Sequence, residues 1–288
     1  MISVSGKIWT EQRVNQNLVE KFKQDYGLGD ILSKLIISRN YDSSEIYGIN
    51  NKQKLTNIFK DDKDFQKASL ILLKAIDNND NICILGDYDV DGACATSLLV
   101  RYFNHINQKH FFYIPDRTED GYGASKKLFQ KLILKKPKLV IMVDCGSTSN
   151  EAIEYLNKHQ IKSIIIDHHE INKPYPKSNV IINPKKGSIK KENSLLCATA
   201  LTYFFIETII QKTKSNFKIS NFLIYVLLAT VCDVMPLRKI NRIIAHNTID
   251  NLNIKNYVAL NYIFEQYNLK KKLTIDDLGF VIGPIINA

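Results

Sequence analysis

Residues 82–93 read ICILGDYDVDGA, a short apolar run followed at once by acidic residues at alternate positions. A run of four apolar residues that stops at glycine and aspartate is typical of a buried strand. Alternate residues of an extended chain face the same side, so Asp87, Asp89 and Asp91 should point one way. Three carboxylates on one side repel each other, and a divalent cation such as Mg²⁺ or Mn²⁺ relieves that repulsion. The segment therefore predicts a strand that ends at a metal site.

The strand pattern recurs further along the chain, with amphipathic stretches between the apolar runs. The other apolar runs lie at residues 111–114, 139–143, 163–166 and 180–182, and the helices predicted between the runs lie at 92–104, 125–135 and 149–159. Such alternation predicts an α/β fold, a parallel sheet with helices on both faces. A helical N-terminal segment is predicted over residues 1–75, and a mostly helical part from residue 194 onward.

Polar residues capable of binding metals close two more of the predicted strands. Asp144 follows the run IMV, and Asp167, His168 and His169 follow the run III. Because the carboxyl ends of parallel strands share one edge of the sheet, these side chains should meet there. Asp233, at the end of the apolar segment YVLLATVCD, could reach the same edge from a helix. The sequence thus predicts one shared site at that edge.

Other readings of the acidic string fit poorly. A DxDxDG string also opens an EF-hand loop, but the twelfth loop position, which should be glutamate, is Leu98. The segment before the string is strand-like, whereas an EF-hand loop follows a helix. No GxxxxGKS/T or GxGxxG string occurs, so we expect a phosphate to be held by metal ions and cationic side chains.

Composition narrows the class of protein. The 288 residues are 45% hydrophobic, which suffices for one large domain or two smaller ones. No run of about 18 apolar residues and no apolar leader is present, so a cytoplasmic protein without a membrane span is expected. The five cysteines are dispersed without a CxxC pair, which disfavours disulfides or a zinc site. A net charge of +10 favours a polyanionic partner.

Four strings in order, GDYDVDG, VDCGS, IDHHE and ATVCDVMPL, resemble the signature regions of the DHH phosphoesterases. The resemblance is closest to the RecJ-like single-stranded-DNA-specific exonucleases, and IPDRTEDGYGAS (114–125), INPKK (182–186), LCATALTYFF (196–205) and GPIINA (283–288) fit that branch too. It implies a DHH catalytic domain over residues 76–255. Residues 256–288 would begin a helical linker to a DHHA1-type and OB-like half that this truncated chain lacks. Ile285 stands where that branch usually has arginine.

The resemblance also implies a site with two ions, Mn²⁺ or Mg²⁺. The implied metal ligands are Asp89, Asp91, Asp144, His168 and Asp233, with Asp87 coordinating or close by. Asp144 would bridge the ions and take part in catalysis, and His169 would contact the phosphate or protonate the leaving oxygen. Asp167 would orient a histidine from behind. The cations expected to bind substrate are Arg117, Lys185 and Arg242.

The function implied is metal-dependent 5′-to-3′ hydrolysis of phosphodiester bonds in single-stranded DNA, in DNA repair and recombination. Expected partners are single-stranded DNA and a repair helicase or single-strand-binding protein, and the expected state is a monomer. One alternative is a DHH phosphoesterase for short oligonucleotides or small nucleotides. Those relatives usually carry HxxPDxD at the first motif, whereas this chain has GDYD at residues 86–89. The other alternative is an inactive truncated fragment.

Overall fold

The computed structural model describes residues 3–8, 10, 12–116, 118–121, 123–187, 193–267 and 272–287. The chain divides into two compact units, Met1–Gln53 and Lys54–Ala288. The first unit contains helices α1 (Gln16–Tyr26), α2 (Asp30–Ser38) and α3 (Ser43–Asn50). Its small core is formed by Leu28, Ile36 and Ile46. These helices agree with the helical character predicted for the start of the chain.

A five-stranded parallel sheet forms the centre of the second unit. Its strands are β1 (Ile82–Leu85), β2 (His110–Tyr113), β3 (Leu139–Val143), β4 (Lys162–Ile166) and β5 (Val180–Ile182). The spatial order is β2-β1-β3-β4-β5, and every neighbouring pair is parallel. Each strand lies within one residue of its predicted position, because each is a short apolar run bounded by polar or turn residues.

Helices cover both faces of this sheet. The helices of the second unit are α4 (Lys63–Asp77), α5 (Val90–His105), α6 (Lys126–Leu132), α7 (Asn150–Lys158), α8 (Ala198–Thr213), α9 (Leu223–Cys232), α10 (Lys239–Ile249), α11 (Val258–Gln266), α12 (Ile275–Asp277) and α13 (Gly283–Asn287). A π-helical turn, Leu278–Ile282, joins α12 to α13. The predicted helix over 125–135 ends at Leu132 and continues as a 3₁₀ turn.

Alternation along the strands assigns side chains to two separate cores. Ile82 and Ile84 of β1 lie in the core that includes residues of α4, α5, α8 and α9. Cys83 and Leu85 face the other way, into a core with residues of α6 and α7. Helices therefore lie on both faces, and the predicted α/β fold is confirmed. Helix α4 belongs to the second unit, because Phe65 and its neighbours pack in the first of these cores.

The strand order creates a crevice at one edge of the sheet. From β1 the chain crosses through α5 to β2 on one side, and it then returns through α6 to β3 on the other side. Loops that leave the carboxyl ends of β1 and β3 therefore diverge, which is the position where open α/β sheets bind ligands. Among the described residues, no helix has both the length and the apolar character needed to cross a bilayer.

Candidate metal centre

The turn after β1 brings the first acidic residues to the crevice. The chain is extended at Asp89, whose Oδ1 accepts a hydrogen bond of 2.9 Å from Gly92 N and caps α5. Helix α5 begins at Val90, so Asp91 lies in its first helical turn. The expectation that Asp87, Asp89 and Asp91 lie along one extended segment is therefore wrong beyond Asp89, since the chain becomes helical there.

Gly92 allows this turn to be so tight. A Cβ atom at this position would lie 2.5 Å from both the backbone N and the backbone O of Asp87. Neither backbone atom can move aside as a flexible side chain would, so only glycine fits here. The residue thus holds the loop that carries Asp87 directly against the first turn of α5.

Asp91 connects this turn to a distant helix. Its Oδ2 accepts a hydrogen bond of 2.7 Å from Ala198 N, and its Oδ1 accepts one of 2.8 Å from Thr199 N. The hydroxyl of Thr199 donates to the carbonyl oxygen of Asp91 at 2.8 Å. Asp91 is 1% exposed. Its carboxylate therefore caps the N-terminus of α8, where backbone N–H groups have no partner within the helix.

Asp144, directly after β3, has the most demanding environment of the acidic residues. It is fully buried and has a left-handed backbone conformation with φ of 60°. Neither carboxylate oxygen has a hydrogen-bond partner among the described residues. A buried carboxylate without a partner is costly unless it binds a cation. Burial, followed by the charges of Asp91 and Asp89, raises the pKa of Asp144 well above its ordinary value.

His168 lies among three of these carboxylates. Its Nε2 is 3.2 Å from Asp144 Oδ1 and 3.5 Å from Asp91 Oδ2 and from Asp233 Oδ2. This nitrogen is buried and forms no hydrogen bond with a described residue, so the short approaches do not have hydrogen-bond geometry. Asp233 reaches the group from the end of α9, as its C-cap residue. A nitrogen and several oxygens that converge without bonding each other are arranged as ligands of a common cation.

The candidate ligands form overlapping groups whose donor atoms lie within 4.8 Å of one another. One group is Asp87, Asp89 and Asp144, and the others are Asp91, His168 and Asp233, and Asp144, His168 and His169. Burial is the main cause that raises the pKa of Asp87 and of Asp233. Oxygen-rich donors with one or two imidazoles suit Mn²⁺ or Mg²⁺, so the residues present fit such ions.

Asp167 positions the second histidine. Its Oδ1 accepts hydrogen bonds from His169 Nδ1 at 2.8 Å and from the backbone N of His168 at 2.7 Å. Its Oδ2 accepts from Ser147 N at 3.0 Å. Burial opposes ionisation of Asp167, but the hydrogen bonds and attraction from His169 outweigh it and hold the pKa of the carboxyl below its ordinary range. Asp167 thus faces His169, whereas the ring of His168 faces the acidic cluster.

Of the three cations predicted to bind substrate, the structure describes two, and neither is bonded to the cluster. Arg117 lies outside the described residues. Lys185 follows β5, and its Nζ pairs with Glu170 Oε1 at 2.8 Å. Arg242 is in the first turn of α10, and its Nε is buried without a hydrogen-bond partner in the part of the chain described. Within that part, no ion pair or hydrogen bond joins the side chain of Lys185 or Arg242 to the clustered acids and histidines.

The last quoted string, GPIINA, does reach the crevice. Asn287 Oδ1 accepts a hydrogen bond of 3.1 Å from Val90 N, the amide that directly follows Asp89. Ile285, the residue that departs from the family pattern, is half-buried in the same short helix. The end of the described chain is thus attached to the first turn of α5.

Two further polar residues, Ser147 and Asn183, support the site and were missed in the sequence. Asn183, fully buried after β5, donates from Nδ2 to Ser147 Oγ at 2.8 Å and to the carbonyl oxygen of His169 at 3.0 Å. Its Oδ1 accepts from Lys185 N at 2.8 Å. Asn183 therefore joins the loops after β3, β4 and β5. The sequence contained one indication of this role, since Asn183 follows a predicted strand, in the string INPKK.

We expect Asn183→Ala to weaken Mn²⁺ binding by about 10- to 100-fold, because hydrogen bonds from residues behind the metal ligands hold the loops that carry those ligands in place. Titration calorimetry would measure the change. Asn179→Ala is the matched control, because Asn179 lies directly before β5 and its Oδ1 accepts a hydrogen bond of 2.8 Å from Ser163 N of β4, without contacting the loops that carry the ligands. A similar loss of affinity in both variants would show that the effect comes from general loosening of the sheet.

Comparison with known proteins gives concordant matches. The family described as DHH family, N-terminal domain matches residues 81–230. The chain is 30% identical over 236 residues to the single-stranded-DNA-specific exonuclease RecJ of Escherichia coli (strain K12), which covers 77% of this chain and 41% of that protein. It is 24% identical over 283 residues to the same exonuclease of Bacillus subtilis (strain 168), covering 97% of this chain and 35% of that protein. The chain thus spans well under half the length of these curated relatives.

Two solved structures share the fold. The crystal structure of exonuclease RecJ bound to manganese matches with a TM-score of 0.73 and 24% identity, covering 81% of this chain and 58% of that one. The crystal structure of RecJ in complex with Mn²⁺ from Thermus thermophilus matches with a TM-score of 0.77 and 18% identity, covering 94% of this chain and 38% of that one. At these identities the likeness establishes the arrangement of helices and strands.

Proposed function

Because the chain belongs to the DHH family, we propose that it is the catalytic part of a metal-dependent nuclease that hydrolyses single-stranded DNA from the 5′ end. One observation carries the proposal. A buried carboxylate, Asp144, and a buried imidazole nitrogen, of His168, lie without hydrogen-bond partners in the described chain, at the edge of the sheet where ligands bind. The curated relatives, named as single-stranded-DNA-specific exonucleases, supply the choice of substrate.

We assign two divalent ions, Mn²⁺ or Mg²⁺, to the overlapping groups of ligands. Asp87, Asp89 and Asp144 would hold one, and Asp91, His168 and Asp233 the other. Asp144 is the best candidate for a shared ligand, because both its oxygens lack hydrogen-bond partners in the described chain and its Oδ1 lies 3.2 Å from Nε2 of His168, which belongs to the second group. Ions held there lower the pKa of a nearby water and neutralise negative charge on a phosphate.

The chain's own side chains would act on the DNA as follows. Asp167 accepts the Nδ1 proton of His169 and so fixes the tautomer and orientation of that ring. Nε2 of His169 would then contact the phosphate or donate a proton to the leaving oxygen. Lys185, Arg242 and Arg117 would neutralise phosphates next to the reacting one. For Lys185, contact with DNA requires its ion pair with Glu170 to open.

The rest of the proposal follows the family. Residues 76–255 would be the catalytic domain, and residues 256–288 would lead toward further domains of the kind found in longer relatives. The protein would act in the cytoplasm, in DNA repair and recombination, as a monomer beside a helicase or single-strand-binding protein. Light scattering coupled to size-exclusion chromatography tests the monomer, and a mass near twice 33.0 kDa would contradict it.

The decisive experiment incubates the purified chain with Mn²⁺ and single-stranded DNA labelled at either end, beside duplex DNA and a dinucleotide. Early release of the 5′ label as a small product, with no attack on the duplex, is the expected result. Cleavage of the dinucleotide alone would replace DNA by a small-nucleotide substrate. Binding of Mn²⁺ without any cleavage would contradict an active catalytic part and leave the alternative of an inactive fragment.

A pair of variants at Asp89 separates its two roles. Asp89→Asn keeps the cap of α5, because asparagine caps helices well, whereas Asp89→Ala removes it at a cost of about 1 kcal/mol in the free energy of unfolding. We expect both variants to lose Mn²⁺-dependent cleavage and only the alanine variant to lose stability, measured by urea unfolding.

Asp62→Ala provides the control for the lost cap. Asp62 caps α4 by accepting from Asp64 N and Phe65 N, far along the chain from the ligands. This variant should lose similar stability and retain cleavage. If it were as inactive as Asp89→Ala, the loss of cleavage would reflect general destabilisation.

A further inference from the structure

A second concave surface lies in the larger unit, at the other end of the helices that carry the candidate ligands. This pocket, which we call the aromatic pocket, has a volume of about 890 Å³, within the range that accommodates small ligands. Segments around the end of α5, the start of α9 and the start of α11 form it. Its aromatic and cationic lining consists of Arg101, Phe222, Tyr225, Tyr257 and Tyr262.

The aromatic pocket is separate from the metal centre, and helices α5 and α9 carry residues of both. Arg101 lies ten residues after Asp91 on α5, and Tyr225 lies eight residues before Asp233 at the end of α9. At about 1.5 Å of rise per residue, these separations correspond to roughly 12–15 Å along the helices. About four stacked nucleotides, at roughly 3.4 Å each, span that distance.

Arg101 has the properties of an anion-binding side chain. Its guanidinium carbon lies 5.3 Å from the ring centroid of Phe222 and 5.8 Å from that of Tyr225, so the group is held on aromatic faces. The side chain is exposed, and it forms no hydrogen bond or ion pair with any described residue. All five N–H donors are therefore available, in a planar array that suits a phosphate.

The tyrosines provide ring faces at fixed positions. The hydroxyl of Tyr257 donates to the carbonyl oxygen of Asn221 at 2.6 Å, and its ring stands edge-on to Tyr225 at a centroid distance of 6.1 Å. Tyr262 is 63% exposed, so its ring is accessible to a base. Lys255 directly precedes the lining residue Asn256 in sequence, and Lys218 lies three residues before the lining residue Asn221. Neither lysine forms an ion pair with a carboxylate in the described parts of the chain.

We propose that the aromatic pocket binds single-stranded DNA at a second position, with a base against the tyrosine rings and a phosphate on Arg101. Ring faces beside an unpaired guanidinium are how proteins hold single strands without reading their sequence. A partner protein would also use tyrosine and arginine, but the unpaired cations favour an anionic ligand. The choice of a DNA strand rests on the proposed function, whereas the recognition of base and phosphate rests on the pocket itself.

The test measures binding apart from cleavage. Fluorescence anisotropy of labelled oligothymidylate, about twelve nucleotides long, would be recorded in EDTA so that no metal-dependent hydrolysis occurs. Arg101→Gln and Tyr262→Ala are each expected to raise Kd by about five- to tenfold. Lys158→Gln removes the same charge from an exposed position on α7, which packs on the other face of the sheet. Because an isolated surface charge contributes little, this control should change Kd by less than about twofold.

Salt dependence and cross-linking locate the contact. Arg101→Gln should reduce the slope of log K against log salt by about 0.7, the value for one phosphate contact on a single strand. A strand that contains 5-iododeoxyuridine should cross-link under ultraviolet light to a peptide carrying Tyr225, Tyr257 or Tyr262. Equal Kd values for Arg101→Gln and Lys158→Gln, or cross-links confined to other peptides, would overturn the proposal.

Two further outcomes separate this proposal from the proposed nuclease activity. If the pocket variants weaken binding while Mn²⁺-dependent cleavage is absent, DNA binding by the pocket is supported and the proposed nuclease activity is contradicted. If the parent cleaves long DNA and the pocket variants bind and cleave it equally well, DNA binding by the pocket is contradicted and the proposed nuclease activity is supported. Competition by thymidine monophosphate as strong as by the oligonucleotide would also overturn the choice of a strand, since a free nucleotide would then be the ligand.

Discussion

Asp144→Asn will abolish metal-dependent cleavage and leave the metal-free protein at least as stable as the parent. The loss of activity, about 10³-fold or more, follows if Asp144 binds both ions, as proposed above. The variant should keep its stability because the carboxyl group that it replaces is buried and has no hydrogen-bond partner in the described chain. Asparagine has nearly the same shape, and it removes one charge from a cluster of like charges.

Thermal unfolding in EDTA and in Mn²⁺ measures both parts of this expectation. At a Mn²⁺ concentration of about 100 times Kd, ligand binding stabilises the parent by about 2.7 kcal/mol. The variant should gain much less. Asp120→Asn is the control, because Asp120 accepts hydrogen bonds from Tyr113 and Lys131 outside the cluster. It should lower stability and keep the response to Mn²⁺. An Asp144→Asn variant that cleaves DNA normally would refute the assigned centre.

Asp91→Ala will have the largest effect on folding of any substitution in the cluster. The carboxylate accepts two backbone hydrogen bonds at the start of α8, and alanine leaves both N–H groups buried without a partner. Hydrogen bonds to charged groups and unsatisfied buried donors each contribute about 1–3 kcal/mol, so we expect a loss of about 3–5 kcal/mol in the free energy of unfolding. Urea unfolding of the metal-free protein measures this loss.

Milder substitutions keep the prediction testable if Asp91→Ala does not fold. Asp91→Asn retains one acceptor oxygen and should lose less stability than the alanine variant. Thr199→Ala removes only the hydroxyl that donates to the carbonyl oxygen of Asp91, and should cost about 1 kcal/mol. The expected order of stability is therefore parent, Thr199→Ala, Asp91→Asn, Asp91→Ala. Parent-like stability of the alanine variant would show that the cap of α8 is unimportant.

The contrast between Asp91 and Asp144 affects how substitutions in the first motif are interpreted. Both are buried acids of the same cluster, yet one is fully engaged by backbone amides and the other has no hydrogen-bond partner among the described residues. Loss of activity in an Asp91 variant combines loss of a candidate ligand with loss of a helix cap. Asp144 and Asp89→Asn report on ion binding more directly.

Much of the fold was predictable, because apolar runs such as ICIL and LVIMV are short and end at polar residues. The convergence of the strand ends followed from the parallel sheet. The direction of Asp91 was not predictable from alternation, since α5 begins at Val90 and rotates the residue away from an extended path. The role of Asn183 was not predictable, and neither was the aromatic pocket. Both depend on contacts between segments far apart in sequence, which periodicity in a single chain does not reveal.

The bond between Asp91 and α8 also has a consequence for the order of folding. It joins residues 107 positions apart, and the bond from Val90 to Asn287 joins residues 197 apart. Contacts of such long range form after the local helices and neighbouring strands, because the entropy of closing long loops opposes them. During synthesis, all five strands would leave the ribosome before α8 and Asp233 do. The group of Asp91, His168 and Asp233 is thus completed only after α8 and α9 have been synthesised and have docked.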